Sequence, residues 1–231
     1  MKLGAFLMMG GSMTSCAELP GSGNSTNRWQ EEVLLHDGQK IVVDRLITRS
    51  GRREPGQKPN PTDVRLSFTM PGTNKIVLWD DKKSDDVGNS NFRLLLLDIL
   101  DGRPYLVTSP LNCLSYNKWG RPDPPYVVFW YESGAWARIP FSELPEEFIS
   151  PNLVVNSPED AAKKHGDGVI TAEEIAALNS KNKQPENVRI QREPIANTGA
   201  SCPQMVHYKC GWVGTNADGT FNKEFMDRMC K

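Results

Sequence analysis

Chemistry in this chain would have to come from few groups, because it carries three histidines and five cysteines. The histidines are His36, His165 and His207. A histidine works as a general base when a nucleophile stands within hydrogen-bond reach and a third group orients the ring. No G-x-S-x-G run places a nucleophile on a tight turn, and no G-x-x-x-x-G-K run offers a phosphate cradle. His36 borders a hairpin turn, where a surface histidine is ordinary. His207, in "MVHYK", alternates with apolar residues, the pattern of a partly buried strand position. Neighbouring acids such as Glu31–Glu32 and Glu146–Glu147 would point to opposite faces of a strand, so neither pair reads as an acid–base couple. No catalytic residue and no cofactor is expected from these groups.

Three stretches invite a metal. The loop "DDKKSDDVGNSN" (Asp80–Asn91) offers Asp80, Asp81, Asp85 and Asp86 to a hard cation, although oxygen-rich loops more often face water. Cys202, His207 and Cys210 have the spacing C-x4-H-x2-C, which matches no zinc pattern and lacks a fourth ligand nearby. The stretch "HGDGVITAEEIAAL" (His165–Leu178) looks like the second half of a calcium loop. In such a loop ending at Glu174, the first ligand position falls on Lys163 and the third on His165, neither of them an oxygen donor. A helix start explains the same letters: Thr171 as cap, Glu174 completing a capping box, and Ile170 with Ile175 as a hydrophobic staple. Gly166 would end the preceding helix, with Asp167–Gly168 as the turn between the two. No metal is expected.

The first residues carry the strongest signal. Lys2, the apolar "LGAFLMM" (Leu3–Met9) and the small residues of "GGSMTSC" read as a short secretory signal. "MTSC" resembles the lipobox of bacterial lipoproteins, in which an aliphatic residue and two small ones precede a cysteine. Met13 stands where leucine is usual, and the charged start is a single lysine. The resemblance implies a signal peptide over residues 1–15, cleavage before Cys16, and palmitate-type acyl chains on its thiol and new amino terminus. It also implies a membrane partner through this anchor and a place in the cell envelope. In a Gram-negative cell that place is the outer membrane, because Ala17 is not the aspartate of inner-membrane retention. "AELPGSGNSTN" (Ala17–Asn27) reads as a flexible tether, which divides the chain into a tether over 16–27 and one domain over 28–231.

Export leaves Cys113, Cys202, Cys210 and Cys230 in a compartment that permits disulfides. Four cysteines allow three connectivities. Cys113–Cys202 with Cys210–Cys230 is preferred, because the second bridge would pin the polar C-terminal tail.

The elements that must carry these groups are mostly strands. β-prone runs flank Asp37–Gly38, Pro71–Gly72, Asp101–Gly102 and "ESG" (Glu132–Gly134), giving hairpin after hairpin. Together they predict a mainly β (α+β) fold: an antiparallel sheet that becomes a sandwich or open barrel. "SELPEEF" (Ser142–Phe148) suggests a short helix. A helical pair follows near 158–182, and then an irregular, cysteine-bearing tail. No stretch approaches the length of a membrane-crossing helix, and the net charge of -1 does not favour nucleic acid.

Between Cys113 and Trp136 the chain gathers Tyr116, Trp119, Tyr126, Trp130 and Trp136 around several prolines. Rigidly mounted aromatics anchor sugars or peptide partners well, so these five form the candidate binding surface for a protein or glycan. The segments "WQEEVLLHDG", "PGTNK" and "LSYNKWGRPDPPYV" resemble uncharacterised exported proteins of proteobacteria, a likeness that implies localisation and no activity. The expectation is an envelope lipoprotein of structural or binding role, with an exported hydrolase acting on an envelope polymer as the alternative.

Overall fold

A computed structural model describes residues 24–51 and 57–231. Cys16, the signal segment and most of the expected tether lie outside the described residues.

Each turn signal closes a hairpin, and the eight strands it joins run as two antiparallel meanders. The first comprises β1 (Ser25–Leu34), β2 (Lys40–Arg49), β3 (Pro61–Thr69) and β4 (Ile76–Lys82). The second comprises β5 (Phe92–Leu100), β6 (Arg103–Pro110), β7 (Val127–Glu132) and β8 (Ala135–Ile139). β1 starts at Ser25, so the last residues of the expected tether are already strand; their backbone pairs with β2 out to Arg49. The two sheets are not closed into a barrel. They pack face to face, with Trp29, Val33, Leu66, Phe68 and Trp79 of the first meeting Phe92, Leu94, Leu97 and Phe129 of the second. The fold is therefore mainly β, as the hairpin signals predict.

The run "LLLLDIL" looks like a strand buried on both faces, and it is one. A bulge between Leu94 and Leu96 shifts its register. Leu94 and Leu97 point into the space between the sheets, whereas Leu95 and Leu96 both turn to the outer face. An extra residue in one strand has this effect: it puts two successive side chains on one side. The outer face is covered by the chain that follows β8, through Leu144, Phe148, Val155 and Ile190.

A strap with no secondary structure holds the two sheets together where β1 and β5 approach. Asn152 donates from Nδ2 to the carbonyls of Leu34 (3.0 Å) and Leu97 (2.8 Å) and accepts from the Leu97 N–H (2.9 Å). Asn179 in turn donates to the Leu153 carbonyl (2.8 Å). These side chains satisfy backbone groups that a sheet edge would otherwise leave unpaired.

The described residues form four α-helices, α1 (Cys113–Lys118), α2 (Pro158–His165), α3 (Ala172–Asn179) and α4 (Lys223–Met229), of which α2 and α3 are the expected helical pair. The capping box at Thr171–Glu174 is complete, with both reciprocal bonds made. Gly166 caps α2 at positive φ. Between the two helices, Val169–Ile170 forms β9, which pairs in parallel with Gln30–Glu31 and adds a fifth strand to the first sheet. Three expectations differ from the structure. "SELPEEF" forms no α-helix: a 3-10 turn at Phe141–Glu143 overlaps its start and stops at Leu144, which the following Pro145 keeps extended at ψ 122. Within the tail expected to be irregular, β10 (Met205–Tyr208) and β11 (Gly211–Gly214) form a hairpin before α4. His207 on β10 is exposed and packs edge-on against Trp212.

Both preferred disulfides form, Cys113–Cys202 and Cys210–Cys230. The first ties α1 to the tail, and the second closes the hairpin onto α4. Among the described residues, no helix is long and apolar enough to cross a membrane.

Candidate functional site

The five candidate aromatics separate because strand alternation and the bend after α1 send them to different faces. Trp119 and Trp136 enter the aromatic end of the inter-sheet core. Trp119 lies 4.6 Å from Phe92 and 5.8 Å from Phe129, and Trp136 lies 5.7 Å from Trp79, centroid to centroid. The Trp136 Nε1–H donates to the Leu78 carbonyl (2.8 Å), so the indole also covers the free edge of β4. Trp130 stands on the opposite face, against Tyr105 and beneath Arg103. Tyr116 is buried beside the Cys113–Cys202 bridge, where a Cβ on Gly199 would come within 2.2 Å of its ring. Only a glycine allows that approach, and Gly199 also has φ +67.

Tyr116 also lines a recess of about 480 Å³ beside the Cys113–Cys202 bridge, and Tyr126 floors an open groove. Two recesses of about 620 and 470 Å³ share Phe141 as a wall. Tyr126 is buried, its hydroxyl donates to the Glu186 carbonyl (3.0 Å) and accepts from the Gln191 N–H (3.2 Å), and burial pushes its pKa up to about 12. The hydroxyl thus fastens the returning chain over the outer face of the second sheet. Arg192 reinforces this by donating to the carbonyls of Leu144 (2.9 Å), Pro145 (2.6 Å) and Phe148 (3.1 Å). The groove walls are Pro122, Pro124 and Ile139 on one side and Leu144 and Ile149 on the other, with Arg138 and Asp123 at one rim and Arg189 and Glu146 at the other. Apolar and aromatic walls with charges of both signs at the rim suit an extended chain or a sugar face. Phe141, Phe148 and Arg192 were not legible as groove residues, because they reach it only through the irregular chain after β8.

His36 does not stand alone beside its turn. Its Nδ1 lies 2.7 Å from Asp98 Oδ1, and its backbone N–H donates to Asp98 Oδ2 (3.0 Å). Asp98 also accepts from the Ile99 N–H (2.8 Å) and is 3% exposed. Phe148 packs against the imidazole at 5.5 Å. The bulge that turns Leu95 and Leu96 outward also decides the face on which Asp98 falls. The hydrogen bond to Asp98 raises the His36 pKa above 6.5, while burial raises that of Asp98. A histidine with a raised folded pKa contributes stability that is complete below its unfolded pKa and is lost as pH rises through the folded one. Wild-type unfolding free energy is therefore expected to fall as the pH rises through 6.5 and above it. Urea titrations of the His36→Gln variant should show no such slope. An equal slope in both proteins would remove His36 as its cause.

The metal-inviting stretches are occupied by protein groups. Asp81 accepts from Asn91 N (2.7 Å), Asn91 Nδ2 (3.0 Å) and Phe92 N (2.8 Å), which fixes the start of β5. Lys118 pairs with Asp86 (2.8 Å), and Arg65 with Asp80 (3.1 Å). Cys202 and Cys210 are spent in disulfides. Glu174 serves the capping box and approaches His165 Nδ1 (3.3 Å). Among the described residues, no group of three His, Cys, Asp or Glu side chains is gathered to hold a metal.

The chain matches no protein-family model, and no curated protein or solved structure is significantly similar to it.

Proposed function

We propose that this protein is a lipid-anchored protein of the bacterial envelope, tethered at Cys16, whose β-rich domain has a structural or binding role. The observation that carries the reading is the pair of disulfides in the domain, which persist in oxidising compartments and are rare in the cytosol. They agree with the apolar start "LGAFLMM" and the "MTSC" run, which call for export and acylation. The groove around Phe141 and Tyr126 is the surface for a protein or glycan partner.

Cell fractionation tests the anchor. The wild-type protein should sediment with membranes, and Cys16→Ser should appear in the soluble fraction. A Cys16→Ser protein that still sediments with membranes would contradict the proposal. The His36–Asp98 pair supports a second reading, an exported hydrolase in which His36 activates water against an envelope polymer. Release of soluble fragments from purified envelope polymer, abolished by His36→Gln, would replace the binding role with that one.

A further inference from the structure

A cavity of about 200 Å³ opens between the edge of β5 and the inner face of β2 and β3. It is smaller than the roughly 300–1,000 Å³ of sites for drug-sized ligands. Its walls are apolar, from Ile47, Val64, Phe92, Leu94, Leu111 and Val155. Among the described residues, three arginines, Arg45, Arg49 and Arg93, and one carboxylate, Glu159, are set into those walls.

The charges do not balance. Arg49 and Glu159 satisfy each other through two bonds of 2.5 and 2.9 Å. Arg45 is 2% exposed and, among the described residues, pairs with Glu31 through Nη1 alone and has no hydrogen-bond partner at Nε. Arg93 has no carboxylate within ion-pair distance among the described residues, and its one side-chain hydrogen bond is a long 3.4 Å contact with Asn156 Oδ1. Burial lowers its pKa, with Glu186 offsetting this from beyond contact range. Ser157, at the start of α2, also lines the cavity and makes no side-chain cap bond. One net positive charge with unused donors therefore sits against apolar walls. Leaving the enclosed Arg45 Nε unbonded is costly, the Arg93 donors are partly reached by solvent, and a bare inorganic anion would not use the apolar surface.

We infer that this cavity binds a small monocarboxylate with a short aliphatic tail, its carboxylate held by Arg93 and the open side of Arg45 and its tail against Phe92, Leu94 and Leu111. The inference stands apart from the envelope reading and survives its failure.

The test uses the full chain with butyrate as probe, at ionic strength matched with chloride. Acetate supplies charge without tail, 1-butanol tail without charge, and inorganic phosphate charge of another shape. Butyrate should raise the thermal midpoint saturably and more than acetate, 1-butanol or phosphate does. Line broadening of the butyrate proton resonances by the folded protein reports binding without reference to stability. Arg93→Met should weaken half-saturation at least tenfold, and Arg93→Lys should weaken it less. Arg93 is the residue of choice because Arg45 supports the core. No broadening by the wild type, equal binding by Arg93→Met, or a larger effect of phosphate would each overturn the inference.

Discussion

Replacing Glu31 with alanine is expected to destabilise the domain by about 3–5 kcal/mol, the cost of leaving a buried partner charge uncompensated. Glu31 is fully buried and accepts from three directions. Arg45 Nη1 approaches both carboxylate oxygens at 3.1 and 3.0 Å, Trp29 Nε1 donates at 2.7 Å, and the Val154 N–H donates at 3.0 Å. The last bond ties the strap across the sheets, so its loss affects more than one strand. Arg45 also lies over the Trp29 ring, 5.4 Å from the centroid. Against a typical total of about 5–15 kcal/mol, a change of this size is readable in a single urea titration. The double variant Glu31→Leu, Arg45→Met should recover more than half of the loss, because it removes both charges and keeps their volume. A loss under 1 kcal/mol in Glu31→Ala would show that the pair does not hold the sheets.

Opening the Cys113–Cys202 bridge should cost nearly as much. It closes a loop of 89 residues, for which chain entropy alone gives about 4.6 kcal/mol. The Cys210–Cys230 bridge closes 20 residues and is worth about 3.3 kcal/mol on the same basis. The longer bridge also supports a set of contacts in the tail. Asn117 donates to the Pro203 carbonyl (3.0 Å) and accepts from the Met205 N–H (2.9 Å), and Arg121 donates to the Gly199 carbonyl (3.2 Å). In guanidinium titrations, Cys113→Ser/Cys202→Ser should lose more stability than Cys210→Ser/Cys230→Ser. The reverse order would mean that the tail is held by its own hairpin and helix and not by α1.

How legible all this was in the residues depended on whether a signal was local. The hairpins were legible, since Asp-Gly and Pro-Gly turns act over four residues and strand alternation over two. Glu31 and Arg45 could also have been read. Trp29, Glu31 and Val33 share one face of β1, and Val43, Arg45 and Ile47 share one face of β2. An acid and a base interrupting two apolar stripes is a signature of a buried pair. The dispersal of the aromatic residues was not legible, because the sheet that follows α1 decides which of them meet. β9 escaped notice because two residues carry too little pattern, and Val169–Ile170 read equally well as a helix entrance. The groove and the His36–Asp98 pair needed contacts between segments some 50–60 residues apart, such as His36 with Asp98 at a separation of 62.

Anchoring at Cys16 is the claim on which localisation, compartment and partner class all depend. Its most direct test is the intact mass of the protein purified from the membrane fraction of a bacterial host. The proposal predicts a mature chain that begins at Cys16 and carries added acyl mass, and a Cys16→Ser chain without that mass. A membrane-fraction protein that retains residues 1–15, with no mass beyond its amino acids and disulfides, would contradict it.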